Sequence, residues 1–252
     1  MKILHITHLY SPHIGGIEYV VKSIAERLTR LSHDVIVLAG EPQTDRPKEE
    51  INGVHVVRWP TWAPNNAYHI PKMIKSLGEE LRVLAKEVDV VHIHNFHAVL
   101  PVWCGLKLKS IGGVKLVATG HYHGTGHSLL RKIAWAPWRL HLKKLINVAD
   151  VIHAVSSIEA KRMARHFPNT KNKIVIIPNG VDEDVRNYKW VGKNSDYIIY
   201  AGRVERYKKL EKAIDIANEM GLKILMVGEG SHKRKLMRYA EKVYPSKVLF
   251  LP

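Results

Sequence analysis

The sequence predicts an α/β fold of two successive units built on mostly parallel sheets, the first complete and the second partial. Short apolar, β-branched runs alternate with longer stretches of helical period, the pattern of parallel strands joined by crossover helices. The alternation breaks between Pro178 and Asp196, where Pro178-Asn179-Gly180 supplies turn chemistry and a polar run ends in Gly192-Lys193-Asn194-Ser195. Few strand and helix candidates remain after that break, and the last strand candidate ends at the terminal Pro252.

Taken in order, strands are expected at residues 2–7, 34–38, 54–58, 88–93, 115–118, 151–155 and 173–177 of the first unit, and at 197–201, 223–227 and 247–251 of the second. The clearest helices are expected at 17–31, 70–86, 129–148, 210–220 and 233–242, where apolar residues recur every three or four positions. Doubly wound, Rossmann-like architecture follows. The boundary is placed after Asp182, giving units 1–182 and 183–252. A sheet as small as the second would leave an apolar face and an open edge without partners, so either residues are missing, as in a truncated domain, or another chain completes it.

Composition narrows the function classes. A hydrophobic content of 46% and a charged content of 25% exclude a disordered chain. The formal net charge of +16 favours a polyanionic partner, whether nucleic acid, an anionic membrane surface or a phosphorylated substrate. Nucleic acid is not expected, because no helix-turn-helix, zinc finger or RNA-binding signature is present. Cys104 is the only cysteine, which rules out an intrachain disulfide and a cysteine-based zinc site. The absence of a signal peptide pattern in Met1–Tyr10 and of an apolar run long enough to cross a bilayer gives an expected location in the cytoplasm. Abundant lysine beside a single glutamine, Gln43, is a thermophile-like bias.

Two loops carry candidate anion-binding chemistry. After the first strand, Gly15-Gly16 opens a strongly amphipathic helix, so backbone N–H groups there can approach an anion closely, although the same pair also serves a simple tight turn. The dinucleotide pattern Gly-x-Gly-x-x-Gly is not present in this loop, which disfavours a dehydrogenase. In the second unit Ala201-Gly202-Arg203 leads to Lys208-Lys209 at the carboxyl end of its first strand, where open α/β sheets bind ligands. Arg203 is suited to bidentate contact with phosphate oxygens, and Lys208 adds a point charge.

These loops belong to a longer ordered series. Gly15-Gly16-Ile17-Glu18, His92-Ile93-His94 after Asp89-Val90-Val91, His121, Ser156, Pro178-Asn179-Gly180-Val181-Asp182, Gly202-Arg203 with Lys208, and Val227-Gly228-Glu229-Gly230 follow one another along essentially the whole chain. In this order the chain resembles the retaining family 4 glycosyltransferases of the GT-B fold. The resemblance implies that a hexose passes from a nucleotide-sugar donor (UDP- or GDP-linked) to an acceptor, with retained configuration, in a cleft between an acceptor-side first domain and a donor-binding second one. It further implies that Arg203 and Lys208 grip the donor diphosphate, that Gly15 and Gly16 close over it, and that His121 lies near the transferring sugar as the catalytic candidate. No metal or other cofactor is implied, since cations and helix ends stabilise the leaving group. Lys209 stands where the family usually has glycine. The family's pair of glutamates separated by seven residues would lie beyond Pro252, so this chain alone is expected to be inactive.

Two features admit a further reading beside that series. His92 with His94, and His121 with His123, alternate onto strand faces as in metal hydrolases, but no carboxylate accompanies them at a ligand spacing; a metal-dependent hydrolase is an alternative and no metal is assigned. The stretch 127–147 mixes Trp135 and Trp138 with Arg131, Lys143 and Lys144, which suits peripheral contact with an anionic membrane at the inner face of the cell membrane. A core-packed crossover helix with a solvated basic side is the competing explanation. On the membrane reading the acceptor is a lipid-linked sugar or glycolipid, and a non-catalytic acceptor- or membrane-binding module is the alternative function.

Overall fold

A computed structural model describes residues 1–43, 47–64, 67–124, 129–189 and 196–251; the side chains of 129–134 and 136 lie outside that description. The described residues divide into two compact units, Met1–Gly180 and Val181–Pro252. The division falls two residues before the expected one, because pairing of the first unit ends with the Ile177 amide donating to Ala154 O, and Asp182 already caps the 3-10 turn Glu183–Asn187.

The first unit runs β1 (Lys2–Thr7), α1 (Gly16–Arg30), β2 (Asp34–Glu41), β3 (Lys48–Ile51), β4 (Val54–Trp62), β5 (Ile70–Pro71), α2 (Ile74–Glu87), β6 (Val90–His94), α3 (Val99–Ile111), β7 (Lys115–Thr119), α4 (Leu129–Val148), β8 (Val151–Ala154), α5 (Ser157–His166) and β9 (Ile174–Ile176). Its nine-stranded sheet has the order β3-β4-β2-β1-β6-β7-β8-β9, with β5 paired to β4. Only β3 and β5 run antiparallel to their neighbours. One face carries Leu4, Ile6, Val91, Ile93, Leu116 and Ile152 into the main core with residues of α2, α3, α4 and α5. On the other face, Val35, Val37 and Ala39 pack with Val21 and Ala25 of α1.

Helix α2 starts at Ile74 rather than at residue 70, because Ile70 and Pro71 pair with Trp62 and Thr61. Two helices, α3 and α5, and two short strands, β3 and β5, were not among the expected elements. Leu100, Pro101, Val102, Cys104, Gly105 and Leu108 bury several sides of α3 against α2, α4, β1 and β6, so it has no polar stripe to give it a helical period.

The second unit comprises β10 (Tyr197–Ala201), α6 (Glu211–Glu219), β11 (Lys223–Val227), α7 (Lys233–Val243) and β12 (Val248–Leu251). Its three strands pair in parallel in the order β10-β11-β12. Ile198, Tyr200, Ile224, Met226, Val248 and Phe250 pack against α6 and α7 residues such as Ile214 and Leu236. The opposite face is open, with Ile199 58% and Leu249 52% exposed.

Candidate active site

In the first unit, parallel pairing delivers the carboxyl ends of β1, β6, β7 and β8 to one edge. The loop after β1 is anchored from strand β4, which lies beyond β2 in the sheet. Buried Arg58 donates to Ser11 O, Glu41 and Glu49, and the His13 ring meets Glu41 at 2.7 Å. A buried cation with two carboxylates and a carbonyl has its hydrogen bonding met, so it can fix the loop rather than strain it.

Gly15 stands in extended backbone at the cap of α1 with no side-chain capping bond, and Gly16 is exposed beside it. Their contributions differ. A Cβ at Gly15 would fall 2.2 Å from Glu18 Oε2, whereas one at Gly16 would meet nothing within 4 Å. Glu18 is buried and its Oε1 lies 3.1 Å from His8 Nε2. Burial pushes the Glu18 pKa up, but the hydrogen bond and charge of His8, a backbone N–H and His13 outweigh it and hold the carboxyl below its usual range.

His121 follows β7 with a left-handed backbone, φ +45°, a region that histidine tolerates better than most side chains. Burial lowers its pKa to about 4, assisted by the charges of His153, His123 and His8 and opposed by Glu18. Its ring is therefore neutral at neutral pH, and its buried Nε2 has no hydrogen-bond partner among the described residues. The loop is held by Glu159, whose carboxylate accepts from the amides of Tyr122 (2.6 Å) and Val155 (2.9 Å). Helix α5 places this carboxylate, and Ser156 caps that helix by accepting from Glu159 N at 3.1 Å. Ser-x-x-Glu is a capping signal that was legible from sequence and would have revealed α5.

A chain of hydrogen bonds crosses the sheet on the face that carries His92. Ile177 O can only accept, so His153 Nε2 donates to it at 2.7 Å. His153 Nδ1 then accepts from Thr119 Oγ1 at 2.8 Å, and Thr119 accepts from His92 Nε2 at 2.7 Å. Thr119 and His153 sit in register opposite one another on the face that also carries His92, a placement that only strand pairing discloses.

The tryptophans expected at a membrane surface turn inward. Trp135 is 8% exposed and stacks on His97 at 4.6 Å, and Trp138 donates from Nε1 to Phe96 O at 2.8 Å. These rings brace the loop after β6, which the competing explanation of a core-packed helix accounts for. Lys143 and Lys144 are exposed, while the Arg131 side chain lies outside the described residues. No helix among the described residues is long and apolar enough to cross a membrane.

The loops of the second unit form a separate cradle. Gly202 N donates to Val227 O (2.9 Å), Val204 N to Glu229 O (2.8 Å) and His232 N to Val204 O (3.1 Å), zipping the loop after β10 to that after β11. A Cβ at Gly228 or Gly230 would lie 2.2 Å from Gly202 O or 2.1 Å from Val204 O, so side chains are excluded at both positions. Glu205 joins the same loops through Ser231 Oγ at 2.8 Å. Arg203, with its side chain 71% exposed, is loosely paired to Glu205 at 3.5 Å, and exposed Lys208 lies 5.4 Å from the Tyr207 ring centre. The cradle therefore presents exposed cations, Arg203 and Lys208 among them, on a firmly registered backbone.

The sequence profile of Glycosyltransferase Family 4 matches residues 14–185, from the loop before α1 through the end of the first unit. The chain belongs to glycosyltransferase family 4. A GDP-mannose-dependent alpha-mannosyltransferase of Mycolicibacterium smegmatis is 24% identical to this family 4 chain over 251 residues, covering 94% of it and 65% of the relative. An O-antigen chain mannosyltransferase C of Escherichia coli is 24% identical over 263 residues, covering 99% and 67% respectively. The chain thus spans roughly two thirds of the length of these relatives, just under that for the first.

Among solved structures, sucrose-phosphate synthase of Thermosynechococcus elongatus superposes with a TM-score of 0.72 at 17% identity, covering 100% of this chain and 70% of that one. HepE of Anabaena, solved with UDP and glucose, gives 0.67 at 16% identity, covering 100% and 69%. These likenesses establish the GT-B glycosyltransferase fold, with a first domain and part of a second.

Proposed function

We propose that the complete protein of this family 4 chain transfers a hexose from a nucleotide-sugar donor to a glycan or glycolipid acceptor, with retained configuration. The observation that carries the proposal is the cradle of the second unit, where Arg203 and Lys208 stand exposed on the loop after β10, which is locked against the loop after β11 by close approach at Gly228 and Gly230. Cations carried on a registered backbone at the carboxyl end of a parallel sheet suit a diphosphate whose negative charge grows as the sugar leaves. No metal is assigned to that step, because the two side chains themselves supply the positive charge. GDP-mannose is the first donor to test, because the Mycolicibacterium smegmatis relative is a GDP-mannose-dependent alpha-mannosyltransferase.

In the first unit, neutral His121 is suited to hydrogen-bond a sugar hydroxyl, and the backbone N–H groups of the Gly15-Gly16 loop at the start of α1 are suited to an anion. A glycan acceptor accords with the name of the O-antigen chain mannosyltransferase, and on a lipid-borne acceptor exposed Lys143 and Lys144 are the anionic-surface contacts. The test is donor binding by calorimetry in the complete protein. Arg203→Ala and Lys208→Ala are each expected to weaken GDP-mannose or UDP-sugar binding about tenfold or more, the loss of a charge-assisted phosphate contact. Donor affinity unchanged in both variants defeats the assignment.

A further inference from the structure

We propose that His5, His92 and His94 form a binding site in the first unit for a borderline transition-metal dication, of the class of Zn²⁺ or Co²⁺. The family reading does not require this site, and it stands on side chains that the proposed transfer step leaves unused. His5 lies directly opposite His92 in the β1–β6 register, and His94 follows two residues later on the same face. Pairing of two parallel strands thus gathers three imidazoles without any loop. One nitrogen from each ring falls within 4.8 Å of the others. His5 Nδ1 and His94 Nε2 are already 3.0 Å apart, against about 3.3 Å between two nitrogens on a tetrahedral zinc at 2.0–2.1 Å.

The hydrogen bonding of the cluster points the same way. A neutral imidazole has one N–H and one lone pair, so the His5–His94 contact uses one proton and one lone pair whichever ring donates. The outer nitrogens, His5 Nε2 and His94 Nδ1, are buried with no partner among the described residues. One of them is then a buried lone pair without a donor and the other a buried N–H without an acceptor, so the protein's own groups leave this pair of rings incompletely satisfied. His92 is prepared differently. Its Nε2–H donates to Thr119, which His153 and Ile177 O hold in turn, leaving Nδ1 as the lone pair. A ligating histidine whose second nitrogen donates to a fixed acceptor is the usual support of a metal site. Nitrogen donors with no carboxylate select Zn²⁺, Co²⁺, Ni²⁺ or Cu²⁺ over Mg²⁺ and Ca²⁺.

The experiment titrates the untagged chain with Co²⁺ and follows its visible d–d bands. One equivalent is expected to bind with the intense spectrum of a four- or five-coordinate ion, to be displaced by Zn²⁺ and to be unaffected by excess Mg²⁺. His5→Asn and His94→Asn should each weaken binding at least tenfold, and Thr119→Val roughly ten- to hundredfold. A control carrying His55→Asn and His141→Asn, both exposed positions, should bind as the parent does. X-ray absorption of the zinc-loaded parent, which needs no variant to fold, should show three imidazole ligands. Absence of stoichiometric binding, retention of binding in His5→Asn, displacement by Mg²⁺, or a ligand shell with fewer than three imidazoles would each overturn the site.

Discussion

At the residue scale His121 joins two properties that rarely coincide, a left-handed backbone and a buried ring. Its folded pKa of about 4 lies below the ordinary value of 6.5, so on acidification the unfolded chain takes up the proton first. The resulting stability is fully present above pH 6.5 and is lost as pH falls toward 4, by up to about 3 kcal/mol for a shift of that size. His121→Asn keeps a residue that tolerates φ +45° and removes the titrating ring. Urea midpoints measured from pH 7 to 4.5 should therefore fall less steeply in the variant than in the parent, and equal slopes would contradict the burial of this ring. The candidate residues were legible because motif order singles them out. Their supports were not: Glu159, Arg58, Thr119 and His153 act across strands, at separations that only pairing reveals.

At the element scale the second unit explains the one departure in its loop. Lys209 ends the short turn Arg206–Lys208 with φ +52°, a left-handed conformation in which glycine is unstrained and lysine costs about 1 kcal/mol. Lys209→Gly is expected to raise the urea midpoint by an amount worth up to about 1 kcal/mol, offset in part by the greater freedom of glycine in the unfolded chain. The adjoining zipper predicts the opposite sign. Gly230→Ala drives a methyl group onto Val204 O, so hydrogen exchange at the Val204 and His232 amides should accelerate and donor binding should fall. Unaltered exchange in that variant would mean that the loops are not locked. Alternating strands and amphipathic helices were readable from their periods, whereas α3 was hidden by having too many apolar sides and β3 by its charged Lys48-Glu49-Glu50.

At the scale of the whole molecule the two units differ in how completely their sheets are covered. The first unit has core clusters on both faces of its sheet, while the second buries one face and exposes Ile199, Leu249 and Leu251 on the other. Apolar area left in water favours self-association. The double variant Ile199→Lys and Leu249→Lys should lower dye binding and concentration-dependent light scattering of this chain while changing its thermal midpoint by only a few degrees. A large loss of stability would show that those side chains are packed. The net charge of +16 opposes such association through long-range repulsion, so added salt should increase scattering in the parent.

The glycine zipper of the second unit also divides its loops into fixed and variable positions. Positions 228 and 230 admit no side chain, whereas 203 and 206–208 point exposed groups outward from the same backbone. Diversity can therefore accumulate at the outward positions without a loss of foldedness, and a library randomised there would sample new anion preferences on an unchanged frame. For this cradle, the residues that confer specificity and those that confer shape are different residues.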